Sequence, residues 1–318
     1  MNDTIGVIGL GTMGIGIAGH LLDEGCTVKG YDINPERLRI LAEKGGIPAS
    51  SPSQTAKDCS ALVLMVFNGE QVMNVLFGEN GAAESLKPGS CVIICASVGA
   101  PACEQAAEKL EHMGIHLVDS PVRGTALSCE TGTLYLMVGA SDEAFTAAKG
   151  VLDTIGSCVV RAGHKAGMGQ KTKTCMQAFF SLTFQSTYEV LALGTAMGLD
   201  PATVYSILDD TGASSNIFRA TARNVASRQF TGTGNPLSIL DKDMKIACQT
   251  ANTCGLPVPS IAATSANFSK AMEDHGTDDV WSAILPLEKA AGIEPVRIPL
   301  QAGCWMHRHS IKLQFIIK

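Results

Sequence analysis

The sequence predicts an α/β protein with an N-terminal Rossmann-type doubly wound sheet, a long interdomain helix and an all-α C-terminal domain. Three observations carry that reading. A strand, a glycine-rich turn and a helix open the chain, in Ile5-Gly-Val-Ile-Gly9-Leu10-Gly11-Thr12-Met13-Gly14. Short apolar runs such as Ala61-Leu-Val-Leu-Met-Val66 then alternate with helical stretches to about residue 162, the pattern of strands buried on both faces of a parallel sheet. After Gly169 no strand pattern remains, and Gln170 to Met197 contains no proline and one glycine, Gly194. Those 28 residues would make about 42 Å of helix, long enough to bridge two domains.

Element by element, strands are expected at 5–9, 27–31, 61–66, 91–95, 115–118, 133–138 and 157–160. Helices between them are expected at 35–44, 101–113 and 141–154. The first of these opens on Pro35, suited to a first-turn position, with Asn34 placed to cap it. Beyond the long helix, helices are expected at 201–209, 216–228, 236–254, 257–274 and 278–291. The last residues, Glu294 to Lys318, mix aromatic, basic and apolar residues without periodicity. They read as a docking segment or as an extension foreign to the fold.

The opening turn carries the first chemical signal. In Gly9-x-Gly11-x-x-Gly14 the glycines give a tight turn, let backbone approach a pyrophosphate, and allow close helix–strand packing. The helix N-terminus then faces phosphate with unpaired N–H groups and the positive end of its dipole. Asp32 ends the next apolar run, 18 residues past Gly14, where a carboxylate can accept from a ribose hydroxyl pair. A 2′-phosphate there would meet like charge, and Ile33, not an arginine, follows. Arg37 and Arg39 sit on the next helix. Gly9, Leu10, Gly11, Thr12, Met13, Gly14 and Asp32 are thus expected to bind a dinucleotide, NAD in preference to NADP.

Composition narrows the classes. A hydrophobic fraction of 46% with 17% charged residues belongs to a packed globular chain, not a disordered one. A net charge of −6 argues against a general nucleic-acid binder, which needs a basic face. No 18-residue apolar run occurs and a strand starts within four residues of the N-terminus, so neither a membrane span nor a signal peptide is expected. Eleven dispersed cysteines without a CxxC pair suit reduced thiols in a cytoplasmic protein rather than a zinc site. No metal is expected; His307 and His309, in the tail, lie two residues apart.

In an open parallel sheet, ligands lie beyond the carboxyl ends of the strands. Three loops there are polar or glycine-rich: Phe67-Asn68-Gly69, Ala96-Ser97-Val98-Gly99 and Asp119-Ser-Pro-Val-Arg123-Gly124-Thr125. Asp119-Ser-Pro is a turn signal. Arg123 suits planar recognition of a carboxylate or other oxyanion, against the plainer reading of a solvated surface arginine. At the start of the long helix, Gln170, Lys173 and Gln177 fall on one face. A lysine so near a helix N-terminus is unfavourable for the dipole, which points to a purpose other than helix stability.

Four blocks together resemble the short-chain β-hydroxyacid dehydrogenase family, which includes 3-hydroxyisobutyrate, threonate and tartronate-semialdehyde enzymes. They are the Gly9–Gly14 turn; Asp119-Ser-Pro-Val-Arg-Gly-Thr with Gly132-Thr-Leu134; Gly167-Met-Gly-Gln-x-x-Lys173; and Lys242-Asp-Met244. The stretch Asn68 to Gly81 and Trp281 to Leu285 look most like the sulfolactaldehyde/4-hydroxybutyrate reductase branch, whereas Gly212 to Asn216 and Gln177 look more like the threonate branch. The resemblance implies a catalytic role for Lys173 and substrate binding by Arg123, Gly124, Thr125, Gln177 and Lys242. It places Lys242 near the cofactor too, with Phe67, Asn68 and Ser97. A dimer or tetramer is implied, formed through the helical domain. So is a partition into an NAD-binding Rossmann domain (1–163), an interdomain helix (164–196), an all-α substrate and oligomerisation domain (197–293) and the tail (294–318).

The departures concern the substrate. The family's usual Ser-Gly-Gly loop is Arg123-Gly124-Thr125 here, the Gly-Arg-Thr of the reductase branch is not reproduced, and Val98 replaces a usual threonine. An arginine in that loop should favour a more strongly anionic or larger acid than 3-hydroxyisobutyrate. The expected reaction is reversible hydride transfer between NAD and the hydroxyl carbon of a β-hydroxy acid. Lys173 would exchange the proton, with burial lowering its pKa. Two other readings are a non-catalytic NAD-binding regulatory module and a 6-phosphogluconate-like oxidative decarboxylase. The first would need neither Lys173 nor the substrate loop; the second should have a larger helical domain.

Overall fold

The computed structural model describes residues 3–294. The chain divides into two compact units, one up to Met176 and one from Gln177 onward. The first contains, in order, β1 (Thr4–Ile8), α1 (Thr12–Asp23), β2 (Thr27–Tyr31), α2 (Pro35–Glu43), β3 (Ile47–Pro48), α3 (Pro52–Ala56), β4 (Ala61–Leu64) and α4 (Gly69–Phe77). It continues with β5 (Cys91–Ile94), α5 (Ala100–Glu111), β6 (His116–Asp119), β7 (Val122–Arg123), α6 (Ala126–Glu130), β8 (Leu134–Gly139), α7 (Asp142–Ile155) and β9 (Gly156–Gly163). Helix α8 (Met168–Ala196, 29 residues) starts in this unit and continues into the next.

The sheet runs β3-β2-β1-β4-β5-β6-β8-β7, with β9 also paired to β8. From β3 to β6 every pairing is parallel. The order reverses between β1 and β4, the switch point where open α/β sheets bind ligands. Successive strand residues point to opposite faces, and the core follows that alternation. Val7, Val63, Ile93 and Val118 pack with Ile17, Leu21 and Leu152 on one side. Ile8, Leu64, Ile94 and Leu117 pack with Val72, Leu76 and Leu110 on the other.

Beyond β6 the expected all-parallel pattern gives way. Strand β8 runs antiparallel to β6 and β7, because a parallel return needs a crossover of a dozen or more residues, usually a helix. Between Arg123 and Leu134 there is only the five-residue α6. Strands β3 and β7, two residues each, and helices α3, α4 and α6 are additions to the elements expected from the sequence. Asp119, read as part of a turn, is instead the last residue of β6 and fully buried.

The second unit continues with α9 (Pro201–Asp209), α10 (Asn216–Ser227), α11 (Leu237–Thr253), α12 (Pro259–His275), a 3-10 turn over Val280–Ile284 and α13 (Leu285–Ala291). Among the described residues it holds no strand, only an isolated bridge between Pro236 and Asp279. Its core gathers Phe184, Tyr188, Leu240, Met244, Phe268 and Trp281. The buried Tyr188 hydroxyl donates to Val280 O at 3.0 Å. No helix among the described residues is long and apolar enough to cross a membrane, and none of their cysteines is in a disulfide. The tail, with His307 and His309, lies outside the described residues.

Candidate functional site

The glycine turn between β1 and α1 is shaped for a diphosphate. Gly9 has φ +89°, and a Cβ there would lie 2.5 Å from the carbonyl oxygen of Met65. A Cβ on Gly14 would collide with the carbonyl of Gly9. At Gly11, by contrast, nothing lies within 4 Å of a Cβ position. Two of the three glycines are therefore required by packing, and the third keeps the approach to α1 open. Gly11 is also the N-cap of α1, without a side-chain cap bond and with no acidic residue in the first turn. The positive end of the helix is left for an anion.

Asp32 stands beside this turn. Its Oδ2 accepts from Leu10 N at 2.6 Å and its Oδ1 from Asn34 N at 2.8 Å. Backbone N–H groups thus hold a part-buried carboxylate next to the turn. Leu10 takes part through its backbone only, since its side chain is in the core. Thr12 is exposed, and Met13 touches Cys129 through sulfur at 3.6 Å. Arg39 is committed to Glu36 and Glu43. After β4, exposed Phe67 donates its N–H to Gln71 Oε1 at 2.8 Å, and Asn68 caps α4 by accepting from Gln71 N at 2.9 Å. These residues fit a dinucleotide.

The second group surrounds the start of α8. Lys173 is buried, and its Nζ donates to Val122 O at 2.9 Å. This brings the lysine to the segment that holds Arg123, Gly124 and Thr125. Gly124 admits no side chain: a Cβ would lie 2.8 Å from both Leu134 Cδ2 and Ser128 Cβ. Thr125 is the N-cap of α6, its N–H donating to Ser128 Oγ at 3.2 Å. Arg123 is exposed, and its guanidinium lies over the ring of Tyr135, 4.8 Å from centroid to Cζ. Lys171, two residues before Lys173, points away to an exposed pairing with Glu104 at 2.7 Å.

Gln170, which the spacing puts on one helix face with Lys173 and Gln177, is 2% exposed and spends its amide on protein groups. Oε1 accepts from Val98 N and Gly99 N at 2.9 and 3.1 Å; Nε2 donates to Ala96 O at 3.0 Å and Asp119 Oδ1 at 2.9 Å. Asp119 in turn accepts from Gln170 N through Oδ2 at 3.0 Å. Nothing local in the sequence marks this, because the partners lie 51 to 74 residues away.

Burial pushes the Asp119 carboxyl up to about 6, although N–H groups of Gln170, Gly167 and Gly169 work in the opposite direction. The folded chain therefore holds this proton more tightly than the unfolded chain. The stability so gained is complete below about pH 4 and lost as pH rises through about 6. At about 1.36 kcal/mol per unit the contribution is roughly 3 kcal/mol. Urea unfolding from pH 4 to 7 should show wild type losing stability relative to Asp119→Asn by that order; parallel profiles would refute the assignment.

In the second unit, Gln177 Nε2 donates to Asp243 Oδ2 at 2.7 Å, and Lys242 Nζ lies 3.3 Å from Asp243 Oδ1. Gln177 and Asp243, both buried, form one polar group with the part-buried Lys242, and Asp243 is the member that sequence reasoning passed over. Among the described residues no cluster of three or more side chains is placed to hold a metal.

A Rossmann sheet with an open glycine turn and a carboxylate held beside it is the architecture of an NAD(P)-binding domain. Residues 4–163 match the NAD-binding domain of 6-phosphogluconate dehydrogenase, and residues 167–287 match the NAD-binding domain of NADP-dependent 3-hydroxyisobutyrate dehydrogenase. An L-threonate dehydrogenase from Cupriavidus necator is 34% identical, over 88% of this chain and 94% of its own length. A 3-sulfolactaldehyde reductase from Escherichia coli is 32% identical, also over 88% and 94%. The crystal structure of a 3-hydroxyisobutyrate dehydrogenase from Salmonella typhimurium superposes with a TM-score of 0.79 at 28% identity, covering 90% of this chain and all of that one. The chain belongs to the 3-hydroxyisobutyrate dehydrogenase-like family of β-hydroxyacid dehydrogenases. It acts on a small hydroxy acid.

Proposed function

We propose that this enzyme interconverts a polar β-hydroxy acid and its semialdehyde or keto acid, with NAD as the preferred cofactor and Lys173 as the acid–base residue. The observation that carries this reading is the buried Lys173 Nζ on Val122 O, which delivers a cationic proton donor to the loop of Arg123, Gly124 and Thr125. The bound nicotinamide supplies or accepts the hydride, and the protein positions the reactants. In reduction, Lys173 Nζ hydrogen-bonds the carbonyl oxygen and passes it a proton; in oxidation the amine takes the hydroxyl proton. Arg123 and the backbone at Gly124 and Thr125 hold the acid group, and Gln177 and Lys242 are further substrate contacts, with Lys242 near the cofactor. Phe67, Asn68 and Ser97 complete the cofactor contacts.

The substrate class follows from Arg123 and from relatives named for threonate and sulfolactaldehyde. The test is NADH absorbance with a panel of hydroxy acids in both directions. Polyhydroxylated or sulfonated acids should have higher kcat/KM than 3-hydroxyisobutyrate. Preference for the latter, or no turnover with any, would overturn the reading.

Cofactor choice rests on Asp32, whose carboxylate opposes a 2′-phosphate. Asp32→Ser should narrow the preference for NAD without reversing it, because Arg39 is already paired with Glu36 and Glu43. Comparing kcat/KM for the two cofactors checks this, and a wild type that favours NADP would remove the assignment. A cytoplasmic homo-oligomer is part of the same reading. It is supported by Phe179, Val190, Leu193 and Met197, exposed along α8 at helical spacing.

A further inference from the structure

Gln170 is one turn before Lys173, and its amide has no capacity left for substrate. A primary amide offers two N–H donors and two acceptor lone pairs, and here all four are used within the protein. Three of the four bonds go to one loop, Ala96 to Gly99, which links β5 to α5. Val98 N and Gly99 N stand at the mouth of α5, where N–H groups have no partner inside the helix. Gly99 is the N-cap and has φ +84°, so no side chain of its own closes the helix end. Gln170 closes it from another element. The fourth bond and the Gln170 N–H both run to Asp119 at the end of β6. Carboxylate and amide thus fix the first turn of α8 and the β5–α5 loop to each other inside the first unit.

The two things so joined are the two ends of the reaction. The loop carries Ser97, a cofactor contact in the reading above, and three residues along α8 stands Lys173. We propose that Gln170 is a positioning residue that holds the Ala96–Gly99 loop in register with Lys173, and so sets the reach between the carbon exchanging hydride and the Nζ exchanging the proton. The assignment rests on Lys173 as the acid–base residue. It adds that the alignment is built by a glutamine that touches neither reactant. Hydride transfer is sensitive to such alignment, since a misplacement of about 1 Å can cost of the order of 100-fold in rate.

The test uses Gln170→Glu and Gln170→Met in the full chain. Glutamate keeps the length and both acceptor sites but cannot donate to Ala96 O when ionised, and it faces the Asp119 carboxyl. Methionine keeps the approximate volume and loses all four bonds. Melting curves give the folded fraction, NADH fluorescence titration gives cofactor Kd, and steady-state assays with NADH deuterated at the transferred position give kcat and its isotope effect. For the folded variants, kcat should fall about 10- to 100-fold with Kd for NADH within about threefold. The isotope effect should rise as hydride transfer becomes more rate-limiting. A structural role alone would change the folded fraction and leave kcat per folded molecule and its isotope effect unchanged; that result overturns the proposal. So would failure of both variants to fold, or a kcat loss matched by loss of NADH affinity. Lys173→Ala separates the two levels: an active Lys173→Ala removes the reading beneath, whereas an inactive one with normal Gln170 variants removes only the role of Gln170.

Discussion

Lys173→Ala is expected to lower kcat at least ~100-fold, the range for loss of an acid–base group, while NAD affinity stays close to wild type. The side chain is buried against Val122 O, next to the loop of Arg123, Gly124 and Thr125. Its removal takes a donor from Val122 O, and melting curves separate any loss of folded protein from the loss of turnover. Lys171→Ala is the matched control. That lysine is two residues away but exposed and paired with Glu104, so turnover should be unchanged. Near-full activity in Lys173→Ala would end the mechanism.

Arg123→Ser is expected to raise KM for the native acid about 10- to 150-fold, from the roughly 1.5–3 kcal/mol of a charge-assisted hydrogen bond. Preference should move toward small monocarboxylates. The stack on Tyr135 holds the guanidinium without using a hydrogen-bond donor, so an oxyanion can still take the N–H groups. A contact of this kind at an exposed site contributes about 0.5–1 kcal/mol, enough to bias the side chain toward one orientation. Arg123→Lys should recover only part of the loss, because an ammonium cannot make the planar two-pronged contact. Unchanged kinetics in both variants would instead give the acid group to the backbone at Gly124 and Thr125.

What could be read from the chain depended on whether the physics was local. The glycine turn is a contiguous motif, and Asp32 follows it within one strand–helix–strand unit. In the helical unit, Asp200 before Pro201 and Ser215 before Asn216 mark helix starts, and both cap as their residue types suggest. Where distant residues decide, the local signal misled. Asp119-Ser-Pro has turn chemistry, yet β5 and α8 bury Asp119 at a strand end. The antiparallel β8 was hidden because an apolar strand does not announce its direction. Lys173 and Gln170 look alike as polar residues on one helix face. Only the loop folded over Gln170 separates a residue spent on that loop from one turned to Val122.

The placement of the thiols makes the chain a built-in reporter. Cys91 and Cys129 are pushed up to about 12 by burial, and burial raises Cys95 and Cys103 as well; thiolate, the species that alkylates, is scarce at all four. Cys175 and Cys254 are exposed. Cys175 is two residues from Lys173 and one helical turn from Phe179, at the start of the apolar stripe on α8. A maleimide dye should therefore mark the native chain at these two sites before the buried thiols. Labelling of Cys175 that slows with protein concentration, while Cys254 keeps its rate, would read out self-association along α8 without any engineered cysteine.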